Sequence, residues 1–467
     1  MMRKVIYLNL VIVSFIIMGL EMTATRFIAP TFGNTVYTWG IIITVFLIGS
    51  SIGYVLGGWI ADQNEYLKIL LVLYLVSMFF ISFIPVVKDM FFPLLNSFSS
   101  EFGTSLGVIL LYFIPNLLLS SIIPILMKVG LENEISGTII GKLHSSSAIG
   151  SVLGTVVTTF WIIPYTNINS VISILVFILF IGFLAYFHKN KVGHRTMLLL
   201  PILIVIFPFY SANNIKPNVI YHSTSLYHDI YVYELNDEKN DSRYRYLTFG
   251  NKDTIQGKMN VNNPDQLVLN YSQDIWDLSN EYKDNSKNVF IVGHGIGSIV
   301  KKFETEGKKV KVAEIDKTVL EVSREYFQYN GNSVIIGDGR KILNDEKMKS
   351  DIIFLDAYNN TTQIPFHLVT KEFFKLTESK LKQDGVLLVN AIGKPKGDEF
   401  INSLYSTLGS VYPYVKIFGR LEQGQQNLYF LASNTPLKES EIERLRELRI
   451  AKGEVILDTD TKLKELN

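Results

Sequence analysis

The stretch Asn288-Val-Phe-Ile-Val-Gly-His-Gly-Ile-Gly297 decides how the second half of the chain folds. Its first five residues read as a short, mostly apolar strand, and three alternating glycines follow at once. A strand that runs into Gly-x-Gly-x-Gly opens a turn where a ligand can approach the backbone closely. Outward from it the chain alternates strands and helices. Lys309–Ala313 is a strand leading into Glu314-Ile-Asp316, and Lys317–Phe327 is a helix. Ser333–Ile336 and Asp351–Leu355 are strands that end at Asp338-Gly339-Arg340 and at Asp356. Lys371–Lys382 and Asp398–Leu408 read as helices around the strand Gly385–Asn390, and the strands Tyr414–Phe418 and Asn427–Leu431 close the series. The pattern predicts a doubly wound α/β domain with a mostly parallel sheet. Before it, Ile230–Glu234 and Arg243–Phe249 alternate and are rich in tyrosine, as in a small antiparallel sheet. After it, Ser440 and Glu443 form a capping box that predicts a solvated helix in the tail.

The polar residues of interest all lie just past strand ends, the edge of an open α/β sheet where ligands bind. Gly293, Gly295 and Gly297 let a ligand reach the backbone. Glu314, 21 residues after Gly293, is placed to hold both hydroxyls of a ribose. Asp338, followed by Gly339, is placed to accept a hydrogen bond from an adenine amino group, and Asp356 faces the reacting centre. A plain dinucleotide site leaves Asp338 and Asp356 unexplained. Helix capping is the simpler reading of single acids such as Asp316 and Asp338, but it does not cover all the positions.

The first half has a different composition. Of the 87 charged residues among 467, only 17 fall within residues 1–210. Val5–Leu20, Thr38–Ile60, Leu67–Val87, Leu106–Met127, Leu143–Pro164 and Val171–Phe187 each carry enough apolar length to cross a bilayer. A shorter run, Met197–Tyr210, would reach only about 21 Å as a helix. Gly49, Gly53 and Gly57, and again Gly150 and Gly154, recur every fourth residue, which suits close helix packing in lipid. Glu21 and Arg26 form a candidate polar site at the end of the first span. About 140° apart on a helix, they should find partners on different neighbours. Basic residues gather on one side of the spans (Arg3, Lys4, Lys68, Lys128, Lys142, Lys189, Lys191, Arg195), which puts the N-terminus in the cytoplasm. Six spans then leave the C-terminal half in the cytoplasm, and seven put it outside.

The chain has no cysteine, which excludes disulfides, thiolate zinc sites, iron–sulfur clusters and a thiol nucleophile. Its formal net charge is +1, so no nucleic-acid partner is expected. The seven histidines show no metal-ligand spacing, and no metal is expected. His294, inside the glycine loop, reads as a packing residue.

The glycine-loop run, with Val312-Ala-Glu-Ile-Asp316, Gly337-Asp-Gly-Arg340 and Asp351-Ile-Ile-Phe-Leu-Asp356, resembles the spermidine synthase (polyamine aminopropyltransferase) family. Glu21…Arg26…Ala29-Pro30 and Gly53…Gly57-Gly58…Asp62 look like the membrane-fused members of that family, as does Ile364-Pro365…Leu368…Thr370…Glu372-Phe373-Phe374. The resemblance implies an α-helical polytopic membrane domain (residues 1–212), then a small antiparallel β domain and linker (213–285). A Rossmann-like, class I methyltransferase-type domain (286–435) and a helical tail (436–467) complete the chain. It assigns Glu314 to the ribose, Asp338 to the adenine and Asp356 to the transfer centre, with Gln256 and Tyr271 as further pocket residues. Two positions depart from the family. Ile296 stands where the family carries an Asp that helps bind the donor's ammonium. Asn359 stands where it carries an Asp that helps hold the polyamine.

The implied activity is aminopropyl transfer from decarboxylated S-adenosylmethionine, or a reaction of S-adenosylmethionine itself, with an amine acceptor and release of methylthioadenosine. The adenosyl sulfonium is substrate, and no cofactor is expected. The two missing carboxylates suggest an alternative, a lyase that turns S-adenosylmethionine into methylthioadenosine and homoserine lactone without an acceptor. A methyltransferase on the same fold is weaker, since Asp356 follows the aminopropyltransferase pattern. From another class comes a transporter of polyamines or adenosyl compounds with a regulatory soluble domain. Expected partners are the lipid bilayer, small molecules and, by resemblance, a second copy in a homodimer. The expected location is the cell membrane, with the catalytic domain on the cytoplasmic side.

Overall fold

The computed structural model describes residues 2–32, 36–95, 98, 100–132, 135–190, 218–225, 227–237, 242–249, 255–358, 364–420 and 424–460. The chain divides into two compact units, Met1–Pro217 and Asn218–Asn467.

Among the described residues the first unit holds six helices long and apolar enough to cross a membrane. In chain order its elements are α1 (Met2–Phe32), α2 (Val36–Ala61), α3 (Tyr66–Leu95), α4 (Ser100–Val108), α5 (Ile114–Leu131), α6 (Gly137–Val157) and α7 (Ile168–Asn190). A π-helical turn, Ile109–Phe113, joins α4 to α5, and a second, Thr158–Ile162, continues α6. The repeated glycines set the closest helix contacts. A Cβ on Gly53 or Gly57 would lie 2.5 or 2.2 Å from a carbonyl oxygen of α5, and one on Gly150 or Gly154 2.3 Å from a carbonyl oxygen of α1. Only glycine permits these approaches, as the small-residue spacing predicts. Buried polar side chains cross-link the bundle: Tyr74 donates to Asn9 at 2.8 Å, and Asn116 donates to the Phe46 carbonyl at 2.7 Å. The Met197–Tyr210 segment, on which the span count turns, lies outside the described residues.

The second unit begins with a four-stranded antiparallel sheet, β1 (Val219–Thr224), β2 (Asp229–Asp237), β3 (Ser242–Phe249) and β4 (Ile255–Asn260), paired in sequence order. Helix α8 (Asn270–Lys283) follows, where the sequence suggests only a linker. The strand–helix alternation then runs β5 (Asn288–Val292), α9 (Ser298–Thr305), β6 (Lys309–Glu314), α10 (Lys317–Phe327), β7 (Val334–Ile336), α11 (Gly339–Asp345), β8 (Ser350–Leu355), α12 (Lys371–Lys380), β9 (Leu381–Gly393), α13 (Glu399–Gly409), β10 (Tyr414–Gly419), β11 (Gln426–Ser433) and β12 (Arg446–Glu447). The sheet order is β12-β10-β11-β9-β8-β5-β6-β7. Strands β9, β8, β5, β6 and β7 are parallel, whereas β11, β10 and β12 pair antiparallel. Chain direction across the sheet reverses between β5 and β8, and the crevice at such a switch point is where doubly wound sheets bind ligands.

Local chemistry explains the element ends. Asp316, Asp338, Thr370 and Asp398 each cap a helix by accepting a backbone N–H from its first turn. Strand β8 is buried along its whole length, as a central parallel strand must be. Its Asp351 is tolerated because it accepts from the Lys287 and Asn288 amides and from Lys382.

The tail departs from the expected helix. From Ser440 to Asp460 the only regular element is the two-residue strand β12. The groups that would start a helix are taken by α8: Ser440 Oγ donates to Glu281 at 2.6 Å, and the Glu441 amide donates to the same carboxylate. Arg444 then reaches Asp274 at 2.6 Å and Asp277 at 2.5 Å. Leu445 and Ile456 are buried in the α/β core. Tertiary pairing along α8 outweighs the local capping signal.

Candidate active site

The site is built at the β5/β8 switch point. Strand β5 ends at Gly293, whose φ of 98° lies in the left-handed region. A Cβ there would stand 2.1 Å from the Asp356 carbonyl oxygen, so the glycine loop and the end of β8 are in backbone contact. Gly295 (φ 55°) faces open space, the nearest atom to an added Cβ being the Gln256 carbonyl oxygen at 3.9 Å. Gly297 (φ 80°) is the N-cap of α9. A Cβ on Gly339 would lie 2.4 Å from Val292, so this glycine serves the packing of α11 on β5.

Glu314, at the end of β6, is buried. One carboxylate oxygen accepts the His294 amide and the other the Asp316 amide, both at 2.9 Å. Burial pushes its carboxyl up, and the two amides work against that. Each oxygen keeps a lone pair for a ligand hydroxyl.

Asp338 caps α11 through Oδ1, which accepts the Lys341 amide at 2.9 Å, and its Oδ2 lies 2.8 Å from His367 Nε2. It therefore does the capping that the sequence offers as the simpler reading. His367, absent from the sequence-derived site, joins it at this strand end.

Asp356 is the centre of the arrangement. Burial raises its carboxyl to about 6, against one favourable hydrogen bond from Asn390 Nδ2 at 2.9 Å. Asn427 donates to Asn390 Oδ1 at 3.0 Å, and Tyr358 donates to the Asn390 carbonyl at 2.7 Å. The charge of Asp356 acts on Tyr271, Tyr358 and Tyr429, whose hydroxyls burial already pushes up. A carboxyl near 6 with a fixed second oxygen can take a proton from an incoming nucleophile at neutral pH.

The structure thus brings together Gly293, Gly295, Glu314, Asp356, Gln256 and Tyr271. It does not place Ile296 against a ligand. Ile296 is buried in an apolar cluster with Ile230, Val232, Leu247, Met259 and Val319, and a Cβ on Gly257 of β4 would meet it at 2.3 Å. The positive-φ glycines on either side turn this side chain away into the four-stranded sheet. Asn359 lies outside the described residues. Asn390 and Tyr358 were missed by sequence reasoning; Asn390 follows an apolar run but lies inside β9, three residues before its end.

His294 packs edge-on against Tyr329, 4.6 Å between ring centres. Ser323 Oγ donates to the Leu320 carbonyl, so it must accept from His294 Nε2 at 2.8 Å. That fixes the Nε2–H tautomer. Burial, with the nearby Arg324 charge, pushes the imidazole down to about 3, so it is neutral at physiological pH. A second His–Asp contact ties the antiparallel sheet to the α/β layer. His228 Nδ1 lies 3.1 Å from Asp316 Oδ2, and Ser225 donates to the same oxygen. Among the described residues no group of three His, Asp or Glu side chains could hold a metal.

Residues 268–418 match the spermine/spermidine synthase domain. The chain is 28% identical over 201 residues to a probable polyamine aminopropyl transferase of Bifidobacterium longum, covering 42% of this chain and 43% of that one. It is 29% identical over 192 residues to a polyamine aminopropyltransferase of Clostridium perfringens, covering 38% and 65%. It therefore spans less than two thirds of the length of these relatives. A probable spermidine synthase structure from Corynebacterium glutamicum superposes with a TM-score of 0.44 at 15% identity, covering 50% of this chain and 95% of that one. The likeness to spermidine synthases and polyamine aminopropyltransferases lies in the α/β unit.

Proposed function

We propose that this unit transfers an alkyl chain from an adenosyl sulfonium, decarboxylated S-adenosylmethionine or S-adenosylmethionine, to an amine, with Asp356 as the base. The observation that carries the reading is the Asp356 carboxyl. It is raised to about 6, held by Asn390, and placed at the switch point in backbone contact with the glycine loop. Glu314, on the neighbouring strand β6, offers acceptors for ribose hydroxyls. The amine nitrogen attacks the chain carbon bonded to sulfur. The C–S bond breaks, its electron pair stays on sulfur, and neutral methylthioadenosine leaves. The proton lost by the amine goes to Asp356. The sulfonium is already electrophilic, so the protein's main contribution is to align the two reactants.

The deciding experiment is product analysis of full-length protein with each sulfonium, with and without 1,4-diaminobutane. Methylthioadenosine together with an alkylated amine, formed only when the amine is present, is the expected result. Methylthioadenosine formed equally without amine would replace this reading by the lyase. No methylthioadenosine under any condition would remove both. The predominance of basic residues on the N-terminal side of the spans, with six membrane helices described, supports a cytoplasmic position for this unit.

A further inference from the structure

Glu21 is the one acidic residue of α1. Its depth can be read from the bundle. Lys88 Nζ sits over the Phe27 ring, 5.1 Å from its centre, and marks one charged end. Glu21 lies six residues deeper, about 9 Å along the helix. At the opposite end Lys128 donates to the Ala61 carbonyl. Among the described residues no hydrogen bond or ion pair reaches Glu21, and Arg26, a different direction around the helix, makes its contacts elsewhere. A carboxylate at this depth without a partner is costly, and it marks a site.

A second observation points the same way. Thr25 shares the Glu21 face, one turn on, and is 7% exposed, yet its Oγ1 has no hydrogen-bond partner. Ile28 continues this face, and its Cδ1 lies 3.3 Å from where a Cβ on Gly107 would stand. Thr23 lies beside Tyr112, so α1 and the α4–α5 segment run antiparallel in a fixed register. Seven residues back along α1 from Ile28 is Glu21, and seven forward from Gly107 is Ile114. The Glu21–Thr25 face therefore lies level with the π-helical turn Ile109–Phe113. Such a turn takes a carbonyl out of the i→i+4 ladder, and π turns collect at functional sites.

We infer that Glu21, Thr25 and the π turn form an intramembrane binding site for an organic ammonium ion. The carboxylate supplies the charge, and the hydroxyl and the ladder carbonyl supply two further acceptors. Three acceptors match the three N–H donors of a primary ammonium group. The site stands apart from the chemistry of the soluble unit.

The test is equilibrium binding of radiolabelled 1,4-diaminobutane to full-length protein in nanodiscs. Wild type should bind it at a class of sites that Glu21→Gln weakens at least tenfold, beside the acceptor binding of the α/β unit, which Glu21→Gln should leave unchanged. Methylthioadenosine binding should be unchanged in Glu21→Gln, and a thermal-unfolding profile of the full-length variant matching that of wild type shows that the helical unit is folded. Equal binding by Glu21→Gln and wild type would overturn the inference, as would the absence of binding in wild type. Displacement of the amine by sodium but not by choline at equal ionic strength would also overturn it, by making this a metal-cation site.

Discussion

Asp356 and Asn390 are the pair on which the proposed chemistry depends. Asp356→Asn keeps the shape and removes the base, so kcat should fall by about 10²–10⁴-fold while methylthioadenosine still binds. Turnover and calorimetry on the same preparation separate the two effects. The pH dependence has a definite sign. Asp356 must be ionised to accept a proton, so kcat/KM should rise with pH through a limb near 6 and level off above it. Asn390 donates to the ionised form and lowers that value. Asn390→Leu should therefore move the limb to higher pH, a shift that loss of packing alone would not produce. Asp356 was legible because it follows the apolar run Ile352–Leu355 at the end of its strand. Asn390 lies inside β9, and a neutral amide there attracts less attention than an acid at a strand end. Ile296 shows the opposite failure. Its place in the motif suggested a ligand contact, but the glycine φ angles on each side turn it into a core.

At the scale of elements, the strand–glycine-loop–helix order and the acids at the strand ends were readable because apolar runs stop abruptly at turn residues. Helix α8 was not. Leu269 at its start makes no side-chain cap, and its sequence Asn-Tyr-Ser-Gln-Asp-Ile-Trp-Asp-Leu-Ser-Asn-Glu-Tyr-Lys mixes polar and aromatic residues. The tail was misread for a related reason: Glu281 and Asp274 of α8 take the groups that would otherwise start a helix. That clasp is testable. Asp274 is fully buried and accepts from Tyr429 at 2.9 Å as well as from Arg444. Arg444→Ala should cost about 1.5–3 kcal/mol through loss of a charge-assisted bond, read as a lower denaturation midpoint of the full-length protein. A midpoint equal to that of wild type would show that the tail is held without this bond, by the Glu281 contacts and by Leu445 and Ile456.

For the whole molecule, the crowding of charge into the C-terminal 257 residues was enough to divide the chain into a unit of long apolar helices and an α/β unit. The number of spans was not readable, because Met197–Tyr210 is apolar but short and contains two prolines. Sidedness can be measured directly, since the native chain has no cysteine. Thr305→Cys, at an exposed helix end, should be protected from an impermeant maleimide in intact cells and become reactive on permeabilisation. Labelling in intact cells would put the α/β unit outside, away from its proposed donor.

The most direct test of the central claim is calorimetric titration of methylthioadenosine into the full-length protein, beside a Glu314→Ala variant of confirmed fold. One saturable site per chain is expected in the wild type, weakened at least tenfold when Glu314 is removed. No heat from the wild type, or equal affinity in the two proteins, would contradict it.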